Sequence, residues 1–244
     1  MGLPTITVPQ YELALPSTGK TIKYRPFLVK EEKILLMAME SEDTKQIINA
    51  TKEIIKNCIT GEDLNIDTMP LFDIEYLFLN LRAKAKGEII ELKYKCPKCE
   101  GEIPIGINIE NINVKKNDKH TDTIKINDEL GIVMKYPTID IQQGMDASEK
   151  QDIEKLFDII ISCIDYIYDK ETTYANADHT SAELKTFLES LTDTQFQEVS
   201  KFFDTQPKLQ HEISLHCKNK VKKTKKECGY KEKQTLEGLQ SFFG

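Results

Sequence analysis

The residues in this 244-residue chain best suited to chemistry are four of its six cysteines. Two form a knuckle, Cys96-Pro97-Lys98-Cys99-Glu100-Gly101, and two more, Cys217 and Cys228, lie near the other end. Four thiolates are the donor set of a closed tetrahedral zinc site, and a C-P-x-C-x-G turn aims its first two sulfurs at one point. A structural Zn2+ on Cys96, Cys99, Cys217 and Cys228 would pin the C-terminal region to the middle of the chain. Residues 100–216 would then form one long loop on a zinc clasp. Bound zinc contributes on the order of 10 kcal/mol of apparent free energy. Closing so long a loop costs only about a few kcal/mol, because closure entropy grows logarithmically. The second pair is loosely spaced for a zinc ribbon, and two other readings stand beside the clasp. One is four unrelated thiols, two of them buried. The other is a Cys96–Cys99 redox pair, which lacks the βαβ setting of such sites.

Two neighbours qualify the ligand set. His216 adjoins Cys217 and could replace one thiolate, but adjacent strand residues face opposite sides, so cysteine is the expected ligand. Cys58 and Cys163 lie on or beside apolar helical stripes and read as small core residues. His120, His179 and His211 sit in polar company and read as solvated.

Other chemistry is weaker. Lys218, Lys220, Lys222, Lys223, Lys225 and Lys226 lie between the last two cysteines. They could touch phosphates, but without interleaved arginine or aromatic residues they read as a solvated loop tip. Gly19-Lys20-Thr21 imitates the end of a P-loop, yet Ala14 stands where that motif needs glycine and no helix follows. No G-x-S-x-G, H-E-x-x-H or glycine-rich phosphate loop is present, so no catalytic residue is assigned.

The elements that must position the cysteines follow from periodicity. Residues 10–27 read as a hairpin around Pro16-Ser17-Thr18-Gly19. Helices follow at Val29–Glu40, at Thr44–Thr60 with the stripe Ile47, Ile48, Thr51, Ile54, Ile55 and Cys58, and from about Thr68 with Pro70 in the first turn. That third helix is apolar on more than one face, which makes it central or covered by a partner. Residues 88–95 and the alternation Ile103, Ile105, Ile107, Ile109 predict strands on either side of the knuckle, with Pro104 pointing to an edge. Ile124 to Tyr136 reads as a hairpin. Ser148-Glu149-Lys150-Gln151 is a capping box opening a long helix whose stripe continues through Ile164 and Ile167. Asp169 to Asp178 reads as polar and mobile. Thr180 and Thr192 each open a further capping box and helix. Ile213, Leu215 and Cys217 alternate as a strand, and residues 229–236 return beside it.

Composition sets outer limits. A net charge of −7 argues against generic nucleic-acid affinity, although Cys217 to Lys233 carries eight lysines against two glutamates. No apolar run reaches membrane-span length, and Met1-Gly2-Leu3-Pro4-Thr5 lacks a signal-peptide pattern. The expectation is therefore no membrane contact and a reducing compartment, where C-x-x-C is more often a metal knuckle than a disulfide.

Several strings carry a resemblance. Tyr11-Glu12-Leu13 with Leu15-Pro16-Ser17-Thr18-Gly19, and Tyr24-Arg25-Pro26-Phe27-Leu28-Val29-Lys30-Glu31-Glu32-Lys33, resemble the opening of the T-even-type myophage baseplate hub protein family (gene product 26 family). Pro70-Leu71-Phe72-Asp73, Glu75-Tyr76-Leu77-Phe78 and Tyr94-Lys95-Cys96-Pro97 are similar to its middle. Gln206-Pro207-Lys208-Leu209 and Leu236 to Phe243 are similar to its end. The resemblance implies a non-enzymatic phage protein that builds the baseplate hub, the central plug of a contractile tail. Members tend to carry the mid-chain cysteine pair and a closer C-terminal pair; here residues 218–227 separate the latter.

The expected fold is α+β, with a helical N-terminal part, β-hairpins carrying a split zinc-ribbon-like clasp, and C-terminal helices packed between them. The expected divisions are 1–87, 88–140, 141–210 and 211–244, the last completing the ribbon with 88–110. The expected function is a baseplate hub subunit or hub assembly factor working by protein contacts. A transient tail-assembly chaperone, absent from the finished virion, is the alternative, and a nucleic-acid-binding zinc ribbon represents another class. Expected partners are other hub or tail proteins, with the tape-measure protein among the candidates; homo-oligomerisation is left open. The expected location is the host cytoplasm during assembly and the virion tail baseplate if structural. The third helix and Phe202, Phe203, Phe242 and Phe243 are the candidate partner-facing surfaces.

Overall fold

The computed structural model describes residues 6–61, 64–141, 153–220, 226–238 and 241. The expected Ser148–Gln151 capping box, Lys222, Lys223, Lys225, Phe242 and Phe243 lie outside them. The protein is mixed α and β, with helices and small antiparallel sheets arranged around three hydrophobic cores.

The first core is built by the N-terminal hairpin and three helices. Strands β1 (Tyr11–Ala14) and β2 (Thr21–Tyr24) pair with Leu13 opposite Ile22. Gly19 at φ 71° closes their turn, donating its N–H to the Leu15 carbonyl at 2.8 Å. Helix α1 is Val29–Glu40, and α2 is Thr44–Cys58 with Asp43 accepting from the Lys45 N–H as its cap. The expected α2 stripe buries Ile48, Thr51, Ile54, Ile55 and Cys58, and the short strand β3 (Ile59–Thr60) then adds to β2. Burial pushes the Cys58 thiol up to about 11, as expected for a core cysteine.

Helix α3 (Leu71–Lys86) is the centre of the molecule. Ile74, Leu77, Phe78 and Leu81 enter the first core, while Leu79 and Ala83 enter the second. Its apolar residues are thus covered mostly from within the chain, which makes them core rather than docking surface. A single turn of 3-10 helix at Ile66–Thr68 precedes it. Asp73 in its first turn accepts from both the N–H and the hydroxyl of Ser17, fastening the hairpin turn to the helix start.

The second core joins two hairpins. Strands β4 (Ile89–Lys95) and β5 (Glu102–Asn108) form a two-stranded sheet, so Pro104 does sit on an edge strand. Strand β6 (Asn113–Lys115) pairs with β11 (Lys208–His216), which pairs with β12 (Lys231–Glu237).

The third core lies under a sheet of β7 (Thr123–Lys125), β8 (Gly131–Met134), β9 (Ile164–Tyr168) and β10 (Thr173–Ala175). Helices α4 (Ile153–Cys163), α5 (Ser181–Glu189) and α6 (Asp193–Thr205) cover this sheet rather than lying between the other parts. The Thr180 and Thr192 capping boxes form as expected. The long helix, however, stops at Cys163. Ile164 and Ile167 belong to β9, because pairing with β8 offers this β-branched and tyrosine-rich stretch a ladder that local periodicity does not show. A bulge at Val133/Met134 keeps Ile164 and Ile167 both buried, and that spacing imitates a helix. Asp169 to Asp178, expected to be mobile, is instead a turn held by the Asp169 carboxylate, then β10 and a 3-10 turn. His120, expected in solvent, packs between Tyr136 and Phe202, so Phe202 too is core rather than partner surface.

One ion pair joins the β2 end to α1. Glu31, fully buried, accepts from the Arg25 guanidinium at 2.9 Å and from the Leu28 N–H at 2.9 Å. Burial pushes its carboxyl up, but the Arg25 and Leu28 hydrogen bonds more than offset this and hold it below the ordinary glutamate value. A lowered carboxyl contributes stability that is present above the unfolded-state value and is lost as pH falls through the folded one. Glu31→Gln should therefore cost on the order of 2 kcal/mol at neutral pH. The gap in Tm from the parent should narrow on acidification, and a gap independent of pH would refute the ionic role.

Candidate metal centre

The two cysteine pairs sit in two turns of one design. In the first, between β4 and β5, the Cys96 N–H donates to the Gly101 carbonyl at 2.9 Å and the Glu100 N–H donates to the Cys96 carbonyl at 2.8 Å. In the second, between β11 and β12, the Cys217 N–H donates to the Tyr230 carbonyl at 2.9 Å and the Gly229 N–H donates to the Cys217 carbonyl at 3.1 Å. Glu100 and Gly229 take the same left-handed conformation, φ 59° and 65°. Cys217 thus matches Cys96, and Cys228 matches Cys99. The lysine-rich insertion between Cys217 and Cys228 leaves the turn closed. Its base is tied by the Cys228 N–H to the Asn219 carbonyl at 2.8 Å and by a bridge between Lys220 and Glu227. This is why a spacing too loose for a sequence pattern still delivers both sulfurs.

The turns face each other and bring all four sulfurs within 4.8 Å of one another. Cys96 Sγ is 3.8 Å from Cys228 Sγ, and Cys99 Sγ is 3.5 Å from Cys217 Sγ. Four sulfurs placed tetrahedrally at zinc–thiolate bond length stand about 3.8 Å apart. The four residues could therefore hold a tetrahedral metal ion. Cys96, Cys217 and Cys228 are buried and Cys99 is partly buried, so the site is closed, as structural sites are. His216 is exposed and faces away from the cluster, which excludes it from the set.

The surroundings favour thiolate. Burial opposes ionisation of Cys96, yet the N–H groups of Cys99 and Lys98 and the neighbouring thiols bring it down to about 7. Cys99 gains from the Gly101 N–H, but burial and the other thiols push it up to about 12. Thiols this close yield one thiolate readily and resist a second charge; a dication removes that repulsion and deprotonates its ligands.

Asn219 is the residue that the sequence did not single out. Its side-chain amide donates to the Glu102 carbonyl at 2.8 Å and to Cys217 Sγ at 3.3 Å, so it stitches one turn to the other. Gly101 makes room for it, since a Cβ there would come within 2.6 Å of the Asn219 amide nitrogen. Asn219→Ala and Gly101→Ala should each weaken metal binding about tenfold or more, measured by competition with a chromophoric chelator. Unchanged affinity in both would show that the amide does not support the site.

Among the described residues no helix is long and apolar enough to cross a membrane. Residues 8–244 match a family model described as T4 bacteriophage base plate protein. No curated protein and no solved structure matches the chain.

Proposed function

The chain belongs to the T4 bacteriophage base plate protein family, and from that premise we propose that it is a non-enzymatic baseplate hub subunit or hub assembly factor that works by protein contacts. The match across residues 8–244 carries this reading, because it spans all three cores and both cysteine turns. In this reading Cys96, Cys99, Cys217 and Cys228 hold a structural zinc, for which the all-thiolate donor set and the closed burial argue. Residues 211–244 then complete one ribbon with 88–110, and the clasp fixes the two hairpins of the second core to each other, so that the chain presents set surfaces to neighbouring tail proteins, the tape-measure protein among them.

Quantitative mass spectrometry of purified phage particles against infected-cell lysate tests the role. A fixed, small copy number per tail is the expected result for a hub subunit. Abundance in lysate with absence from particles would overturn the subunit reading in favour of a transient assembly chaperone.

A further inference from the structure

Helix α1 leaves an apolar face open. Its buried side is Leu35 and Ala38, but Leu36, Met37 and Met39 are 51%, 61% and 40% exposed. Beside them runs a groove between α1 and the C-terminal half of α3, lined by Phe27, Glu32, Leu36, Met39, Arg82 and Lys86. The cations nearby are matched: Arg25 pairs with Glu31, Lys86 with Glu32 at 2.5 Å, and Lys84 with Glu88 at 2.7 Å. Arg82 differs. It is only partly exposed, and among the described residues it has no hydrogen-bond or ion-pair partner. Burial alone pushes its guanidinium down. A half-buried guanidinium without a counter-charge is costly, and its planar fork matches a carboxylate.

We propose that this groove docks an amphipathic segment of another baseplate protein, whose carboxylate pairs with Arg82 and whose apolar side chains cover Leu36 and Met39. A second copy meeting the groove through this same face fits less well, since the carboxylate that the lining offers, Glu32, is already paired with Lys86. The proposal rests on the reading of the chain as a contact-making baseplate protein and names the chemistry of one contact.

The probe is a set of overlapping synthetic peptides tiling the phage's other tail proteins, read by fluorescence anisotropy against the full-length protein. Bound peptides should carry Asp or Glu beside apolar residues. Arg82→Gln, or amidation of that peptide carboxylate, should weaken binding on the order of tenfold or more, and the two changes combined should cost little beyond either alone. Leu36→Ser, a surface change that leaves the core intact, should weaken the same peptides. Binding indifferent to both variants, or no peptide bound, would overturn the proposal. So would a dimer seen by sedimentation that Leu36→Ser dissolves, because the occupant would then be a second copy. Absence of the chain from particles would defeat the subunit reading without touching this outcome.

Discussion

Cys96→Ser is expected to yield a metal-free protein that unfolds far below the parent, while the parent carries about one zinc per chain. The reasoning runs through the second core. Cys96 is fully buried, its N–H closes the first turn, and its sulfur stands 3.8 Å from Cys228 across the two hairpins. Three remaining thiolates cannot close a tetrahedral site against water, and without a cation they resist sharing charge. The two hairpins then keep only their apolar contacts, Ile103, Ile107, Ile213 and Leu215 among them. A structural zinc contributes on the order of 10 kcal/mol of folding free energy, more than the usual stability of a whole domain. The expected signature is loss of metal by elemental analysis together with loss of cooperative unfolding, reproduced in the parent by a strong chelator. A metal-free parent of full thermal stability would sink the clasp. Cys58→Ser is the control, since Cys58 is equally buried but sits in the first core away from the cluster. It should lower Tm and leave the metal content unchanged.

What the sequence showed and what it hid follow from the range of each interaction. The cysteine set was legible because ligand chemistry restricts residue type, and strand alternation separated Cys217 from His216 before any coordinates did. The capping boxes at Thr180 and Thr192 and the α2 stripe were legible because they are local. Strand β9 was not, since its partner β8 lies 30 or so residues upstream and a bulge gave its buried residues helical spacing. Pairing of β6 with β11 joins Val114 to Leu209, a contact that no window of sequence contains. Asn219 looked like one more polar residue in a lysine-rich loop; only the meeting of the two turns gives its amide a purpose. Arg82 is one of three basic residues near the end of α3, and only the pairing of Lys84 and Lys86 leaves it conspicuous.

Helix α3 carries the other large expected effect. Its apolar excess was readable, but whether the chain or a partner covered it was not. The structure divides it among all three cores. Leu77 fills the first and Leu79 the second, two residues apart and hence on opposite sides of the helix. Phe72, at its start, meets Tyr136 edge-on at 5.1 Å, and Tyr136 stacks on Phe202 of the third core at 5.7 Å. The Leu71 N–H also donates to the Pro137 carbonyl at 2.9 Å. Phe72→Ala, Leu77→Ala and Leu79→Ala should each cost about 3 kcal/mol or more, through lost transfer energy and the cavity left behind. Because one rigid helix is common to the cores, each variant should keep a single calorimetric transition, lowered by roughly 10 °C. The outcome that would break this account is Leu79→Ala splitting the transition in two, with the upper step unmoved. The cores would then be separately stable, and the clasp would hold the second core together without α3 coupling it to the rest.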